Sequence, residues 1–234
     1  MTLNFELVFY HIPKCGGTSL RSFFKNIYLE KGFNKEDIYI SCDSLKNYNL
    51  MDDETLNQML PILKNKKVVL SHINHTLYSK LPSKFNVTCI RNPINRFISS
   101  FNHFTLLKYP NISLENLYLN NKEKFNELCK NCYCCPSKTW FRDNILEYNF
   151  IIILENLDDD LKLVTQMLGL QKVFNIKNID PCKENKKKPN FFKFNMDIEL
   201  HIEIYEYIKN TLQGDIELYN KVCLFRKLNN KMIN

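Results

Sequence analysis

Several residue types that most proteins use freely are scarce in this 234-residue chain. It contains no alanine, five glycines, one tryptophan and five arginines against 27 lysines, while asparagine, isoleucine and phenylalanine are abundant. This bias is typical of A/T-rich coding DNA, so a cluster of lysines carries little information. Each glycine or arginine, in contrast, is expected to occupy a position that a commoner residue would not serve.

Long apolar runs, a signal-peptide pattern and nucleic-acid motifs are also missing. No apolar stretch approaches the length needed to cross a bilayer, and the N-terminus has no basic segment followed by an apolar one. No arginine-rich or aromatic-interleaved stretch resembles a nucleic-acid-binding module. With 44% hydrophobic and 24% charged residues, the composition predicts a globular protein with one domain over residues 1–234.

Short apolar segments alternate with amphipathic ones. The predicted strands are Phe5–Tyr10, Lys67–Leu70, Phe85–Ile90 and Asn149–Leu154. Helices are predicted from about Leu20 to Tyr28, from Pro93 through Phe104, and over Asp158–Leu168, Asp197–Leu212 and Asp215–Phe225. The polar segment 33–64 predicts short helices, of which Thr55–Leu63 is the best candidate. The segments 108–140 and 172–196 resemble inserts. The alternation predicts an α/β fold with a central parallel sheet flanked by helices.

Polar side chains follow each predicted strand. Lys14, His72, Arg91 and Glu155 each lie at or just beyond a strand's carboxyl end. Because ligands of parallel sheets bind at the carboxyl ends of the strands, we expect these side chains to converge on one edge.

The loop after the first strand carries two of the five glycines. It reads Pro13-Lys14-Cys15-Gly16-Gly17-Thr18-Ser19. Glycines let backbone N–H groups close around an anion, and the following helix adds its positive end. Lysine precedes the glycines, unlike in a Walker A loop. The loop predicts an anion site, with a tight turn and a helix capped by Thr18 or Ser19 as the alternative.

Two of the five arginines, Arg91 and Arg96, lie within six residues at a strand-to-helix junction. A guanidinium suits bidentate contact with phosphate, and Ser99 could offer a hydroxyl to the same anion. The alternative is a structural arginine pair that holds the helix to its loop.

Together these motifs resemble the sulfotransferase superfamily, specifically the Golgi-type glycan sulfotransferases and the branch that includes uronyl 2-O-sulfotransferases. The segment Ile12–Leu20 resembles the family's 5′-phosphosulfate loop. Cys89–Phe101 resembles its 3′-phosphate motif, with Asn92 in place of the usual Asp. Ser71-His72, Phe150–Asp159 and Asp215–Tyr219 resemble its base-bearing strand end, its strand-and-acid segment and its C-terminal helix.

The resemblance implies a three-layer P-loop-like fold and transfer of the sulfuryl group of 3′-phosphoadenosine 5′-phosphosulfate (PAPS) to a hydroxyl, with a carbohydrate as the expected acceptor. Lys14 would neutralise charge on the leaving phosphate. The loop residues implied for the 5′ end of the donor are Lys14, Cys15, Gly16, Gly17, Thr18 and Ser19. Arg91 and Ser99 would bind the 3′-phosphate. No metal is expected, because no carboxylate cluster suits Mg²⁺.

The acceptor hydroxyl needs a base, and histidine has a suitable pKa. His72 is the expected base and His75 the alternative, while His11 and His103 are less well positioned in the sequence. Glu155 is a competing base or, in the favoured interpretation, a structural residue.

The cysteines of the segment 129–135 form a further cluster. Cys129, Cys132, Cys134 and Cys135 follow a C-x₂-C-x-C-C pattern, which lacks the two separated pairs of a zinc ribbon. Reduced thiols, disulfides such as those of related 2-O-sulfotransferases, and zinc ligands all stay open.

Two other functions compete with sulfotransfer: a P-loop-type nucleotide or small-molecule kinase, and an inactive nucleotide- or glycan-binding relative. The net charge of +7 favours an acidic or already sulfated acceptor. We expect a cytoplasmic enzyme that binds neither nucleic acid nor membrane, with the Golgi and secretory pathway as the alternative.

Overall fold

The computed structural model describes residues 4–40, 57, 60–72, 81–105, 111–131, 144–170 and 192–233. One parallel sheet contains β1 (Leu7–Tyr10), β2 (Ile38–Ile40), β3 (Val68–Ser71), β4 (Asn86–Ile90) and β5 (Phe150–Ile153), in the order β2-β3-β1-β4-β5. Every residue of β1, β3, β4 and β5 is buried. This burial explains why these strands are continuous apolar runs rather than alternating ones. The predicted α/β class with a central parallel sheet flanked by helices is confirmed.

The four predicted strands are present, each within two residues of its expected bounds. The prediction for 33–64 was wrong in part, because this segment contributes the edge strand β2 as well as a short 3₁₀ turn, Lys35–Asp37. Three residues are too few to show a periodicity, and only Ile38 of this strand is buried. Residues 57 and 60–63 are helical; the rest of the predicted helix Thr55–Leu63 lies outside the described residues.

The α-helices of the described chain are α1 (Gly17–Glu30), α2 (Pro93–Ser100), α3 (Leu114–Asn120), α4 (Lys122–Asn131), α5 (Leu157–Met167), α6 (Glu199–Thr211) and α7 (Gln213–Ile233). A short π-helical segment, Phe101–Thr105, extends α2. Two helices, α3 and α4, occupy a segment for which the sequence predicts only an insert. The last helix is longer than expected, since the residues after Phe225 are mostly polar and give little periodic signal. None of the described helices is long and apolar enough to span a membrane.

The described residues cluster into two compact units. The first, from within 1–90 and 139–179, contains the sheet with α1 and α5. In it Phe24 of α1 packs on Phe9 of β1 with ring centroids 5.2 Å apart. The single domain over 1–234 stays a prediction.

The second unit, from within 91–138 and 180–234, contains the remaining helices. Its core includes Phe97 of α2 and Phe125 of α4, both fully buried. Asn102 fixes a distant segment by a double hydrogen bond: its side-chain amide donates to the carbonyl of Phe192 at 2.8 Å, and its Oδ1 accepts from the N–H of Phe192 at 3.0 Å.

Candidate active site

The chain turns tightly where β1 ends. The N–H of Cys15 donates to the carbonyl of Ile12 at 3.2 Å, and Lys14 has φ of 65°. Proline in second position and a left-handed third residue are features of a type II turn, which usually has glycine at that third position. An L side chain there costs about 1–2 kcal/mol. Residues held in such unfavourable backbone conformations cluster at functional sites.

The two glycines that follow are needed for different reasons. Gly16 has a left-handed backbone, with φ of 72°, and is the N-cap of α1. Its added Cβ would also approach Leu154 to 2.7 Å. A Cβ on Gly17 would overlap the imidazole ring of His11. Any larger residue at these positions would therefore deform the loop.

The start of α1 carries no side-chain cap and no acidic residue in its first turn. Thr18 is exposed and Ser19 half-buried, and neither caps the helix. The alternative in which one of them is the cap is wrong, because Gly16 takes that position. The positive end of the helix dipole is thus not neutralised from within the helix, which suits an anion at this point.

His72 follows the last residue of β3, and its ring is half-buried. Its Nδ1–H donates to the backbone carbonyl of His11 at 3.0 Å. Because a carbonyl oxygen can only accept, Nδ1 carries the proton and the neutral ring keeps a lone pair on Nε2. A fixed tautomer with a basic Nε2 is the arrangement that a general base requires.

His11 lies against His72, a proximity that the sequence analysis missed. Tyr10 and Ser71 are paired in parallel register, so the next residue of each strand is a histidine and the two face each other. Their ring centroids are 3.9 Å apart, with an interplanar angle of 31°. The available signal was that two predicted strands each end next to a histidine, but only their pairing brings the rings together.

Burial lowers the pKa of His11 well below its ordinary value, and the positive charges of His72, Arg21 and Lys14 lower it further. His11 is therefore neutral near pH 7. It is a poor competitor for the proton that a base must accept, which agrees with the expectation that His72 is the base.

Glu155 is exposed on the 3₁₀ turn Leu154–Asn156 that follows β5. The neighbouring Leu154 side chain closes over Gly16 of the loop after β1. The carboxyl ends of β1, β3 and β5 thus carry Lys14, His72 and Glu155 respectively, as the alternation of strands and helices predicted. The catalytic or structural role of Glu155 stays open.

In the second unit, Arg91 and Ser99 flank the start and the last turn of α2, and both are half-buried. Asn92 is the N-cap of this helix, and its Oδ1 accepts from the N–H groups of Ile94 at 3.1 Å and Asn95 at 3.2 Å. An aspartate would cap the helix in the same way. The replacement of the family's usual Asp therefore costs no capping interaction.

Other candidates of the sequence analysis lie partly beyond the described chain. His75, Cys132, Cys134 and Cys135 are outside it, whereas Cys129 is buried in α4. Within the described ranges, no group of three or more His, Cys, Asp or Glu residues could hold a metal ion. The chemistry of the cysteine cluster stays open.

Comparison with known proteins agrees with this geometry. The model of the sulfotransferase family matches residues 1–221, so the chain belongs to the sulfotransferase family. A sulfotransferase from Alicyclobacillus acidocaldarius, known from its crystal structure, has a similar fold, with a TM-score of 0.51 at 15% identity over 91% of this chain and 94% of that one. No curated protein matches the chain significantly. Membership of the family supports sulfotransfer as the class of activity.

Proposed function

We propose that this protein transfers the sulfuryl group of PAPS to a hydroxyl of a carbohydrate, with His72 as general base. The observation that carries the proposal is the hydrogen bond from Nδ1–H of His72 to the carbonyl of His11. It leaves Nε2 as a proton acceptor on the strand next to the one that ends in the glycine loop.

The glycine loop supports the assignment of the 5′ end of the donor. Gly16 is the left-handed N-cap of α1, and the free backbone N–H groups at the start of a helix suit a phosphate. Lys14 adds a positive charge from a turn conformation that lysine adopts only at a cost. Cys15, Thr18 and Ser19 complete the segment proposed to surround the phosphosulfate.

The 3′-phosphate is assigned to Arg91 and Ser99 on the strength of the sequence motif. Two anion sites match a nucleotide that carries an anionic group at each end. The guanidinium of Arg91 can make two parallel hydrogen bonds to phosphate. Asn92 caps this helix as the Asp of the family motif would, which supports the assignment of the motif.

In the proposed step, Nε2 of His72 takes the proton of the acceptor hydroxyl while its oxygen bonds to sulfur. The bond between sulfur and the bridging oxygen of the 5′-phosphate breaks, and Lys14 neutralises the charge that develops on that oxygen. Adenosine 3′,5′-bisphosphate leaves, and the proton stays on His72 until it passes to solvent. Positioning of the reactants and stabilisation of the developing charge account for the rate acceleration, as in phosphoryl transfer.

The acceptor is proposed to be a carbohydrate that carries negative charge. The net charge of +7 supports an anionic partner through long-range attraction. A screen of uronate-containing and pre-sulfated oligosaccharides against neutral ones, with labelled PAPS, tests this part of the proposal.

Calorimetric titration with adenosine 3′,5′-bisphosphate is the first test of the function, with ATP and Mg²⁺ as the comparison. We expect saturable binding of the bisphosphate, and an affinity about 10- to 100-fold lower in Arg91→Ala. Arg91→Lys is the matched control that keeps the charge but removes the bidentate geometry. Tighter, Mg²⁺-dependent binding of ATP would instead indicate a kinase.

Transfer of labelled sulfate tests the base. His72→Asn keeps a side-chain N–H near the His11 carbonyl but has no basic nitrogen. We expect turnover to fall by about 10²- to 10⁴-fold while the bisphosphate still binds. Normal turnover in this variant would reject His72 as the base, and binding without turnover in the unmodified protein would indicate an inactive relative.

A further inference from the structure

The ring of His11 has no role in the mechanism above, yet it is packed where the mechanism operates. Only 7% of the residue is exposed. Its ring lies against His72 on one neighbouring strand and occupies the space that a side chain at position 17 would need. It also stacks with Phe9 two residues earlier, with centroids 5.9 Å apart and planes at 14°. Both the helix that begins at the proposed donor loop and the proposed base therefore contact this one ring.

Hydrogen bonding by Nδ1 of His11 does not explain the burial of this residue. Its Nδ1 is buried and has no hydrogen-bond partner among the described residues. A histidine kept only for stability would be expected to satisfy this nitrogen, because a buried polar atom without a partner is unfavourable. The features that the structure does use are the flat ring and the backbone carbonyl that accepts from His72.

We propose that His11 is a positioning residue for catalysis: its flat ring, packed between the start of α1 and His72, holds the base in a fixed orientation relative to the donor loop. This inference rests on the proposed function, in which His72 is the base and the glycine loop binds the donor. The His11 carbonyl fixes which nitrogen of His72 carries the proton, and the His11 ring fixes the plane of the imidazole.

The electrostatic state of His11 agrees with this role. The groups that act on its charge are His72 after β3, Arg21 on α1 and Lys14 in the loop, and all are basic. Together with burial they lower the pKa of His11, so the ring stays neutral when His72 takes up a proton. A neutral ring next to a transiently charged one causes no repulsion, whereas two charged imidazoles 3.9 Å apart would repel each other.

Two substitutions separate a positioning role from a merely structural one. His11→Leu removes the flat ring and keeps the backbone carbonyl, whereas His11→Phe keeps a flat ring and removes the nitrogens. We expect His11→Leu to lower kcat by about 10- to 100-fold, as for other residues that orient a catalytic group, with the KM for PAPS and the affinity for adenosine 3′,5′-bisphosphate changed less than about threefold. His11→Phe should retain kcat within about threefold of the unmodified protein.

Equal kcat in His11→Leu and the unmodified protein would overturn the proposal. So would a parallel loss of kcat and of bisphosphate affinity in both variants, since that pattern indicates damage to the loop rather than to the orientation of the base.

Nitrogen NMR of the histidine rings tests the inference without turnover. In the unmodified protein we expect His72 to be the Nδ1–H tautomer and His11 to stay neutral at the pH where an ordinary histidine is half-protonated. Because His11→Leu keeps the backbone carbonyl, it should keep this tautomer, and loss of the His11 ring should instead increase the mobility of the His72 ring in relaxation measurements. A His11 that titrates near its ordinary value, or a His72 ring equally immobile in His11→Leu and the unmodified protein, would reject the positioning role.

The two readouts distinguish the failure of this inference from the failure of the proposed function. If the unmodified protein transfers no sulfate from PAPS, the proposed function fails, while the NMR result still decides whether His11 orients His72. If transfer occurs and His72→Asn abolishes it, but His11→Leu behaves normally in both readouts, only the positioning role is wrong.

Discussion

Two helices of the sheet-containing unit follow parallel strands, and they differ in the residues at their positively charged N-terminal ends. The first, α1 after β1, starts at a glycine N-cap with no acidic residue in its first turn. The second, α5 after β5, starts with Asp158, Asp159 and Asp160. Of these, Asp160 is buried and its Oδ2 accepts from the N–H of Ile153 at 2.6 Å.

The difference separates the proposed anion-binding element from a structural one. At α5, carboxylates of the chain itself compensate the helix dipole and secure the strand-to-helix connection. The first turn of α1 has no acidic residue to compensate the helix dipole. The positive charge of Lys14, in the preceding turn, attracts an external negative charge. Both helices follow strands of the same sheet, and their first residues differ in whether they leave the positive end of the helix open to an external anion.

The largest expected effect comes from removing the charge in front of α1. Lys14→Gly and Lys14→Ala should both lower turnover by about 10²- to 10³-fold, because charge on the leaving phosphate is no longer neutralised. Lys14→Gly should be more stable to urea unfolding than Lys14→Ala by about 1 kcal/mol, because only glycine adopts the left-handed backbone without strain. Turnover within tenfold of the unmodified protein would contradict the role of Lys14.

Making α1 resemble α5 should produce the next largest effect. Thr18→Asp adds a carboxylate to the first turn of α1, where it would compete with the donor phosphate. We expect the affinity for adenosine 3′,5′-bisphosphate to fall by about 10- to 100-fold. The free energy of unfolding should rise by about 0.5 kcal/mol, because the added carboxylate interacts favourably with the helix dipole. The matched neutral variant Thr18→Asn should bind within a few-fold of the unmodified protein; equal losses in both variants would argue against a phosphate at this helix end.

The starts of α1 and α5 should also differ in how acid affects protein stability, because α1 begins beside a buried neutral histidine, His11. The folded-state pKa of His11 lies below its unfolded value, so its contribution to stability is complete above about pH 6.5. Below that pH the unfolded chain binds a proton that the folded chain does not. The free energy of unfolding then falls by up to about 1.4 kcal/mol per pH unit.

This acid sensitivity is measured by urea unfolding at several pH values in the unmodified protein and in His11→Phe. The carboxylates contribute equally to both proteins, so the difference between the two curves isolates His11. The variant should lose less stability on acidification, and two parallel curves would show that His11 is not held neutral.

The smallest expected effect lies at α5. Asp160→Asn keeps an acceptor for the Ile153 N–H but removes the charge, and we expect a loss of about 1 kcal/mol in unfolding free energy. The control is Asp159→Asn, whose exposed carboxylate pairs with Lys162 at 2.9 Å and should cost about 0.5 kcal/mol or less. Neither variant should change bisphosphate affinity, and a large change in it would mean that α5 takes part in donor binding.

Local patterns in the sequence were sufficient for much of the candidate site. Continuous apolar runs reveal buried parallel strands, and two adjacent glycines in a chain with five are conspicuous. Lys14 and His72 could thus be assigned to strand ends from these patterns alone. The strand β2 was missed because three residues show no measurable period. The helices α3 and α4 do carry apolar residues at helical spacing, Leu114, Leu117 and Tyr118 in α3 and Phe125 and Cys129 in α4, which the prediction of an insert did not use.

The chain alone specified which segments are buried strands, where the glycine loop lies and which family motifs are present, since each of these depends on residues close together in sequence. Strand pairing was decided only in three dimensions. The parallel register of Tyr10 with Ser71 brings His11 onto His72, and the packing of α1 explains why position 17 must be glycine. His11 and His72 are 61 residues apart along the chain, and a periodicity reports how a segment is buried but not which partner buries it.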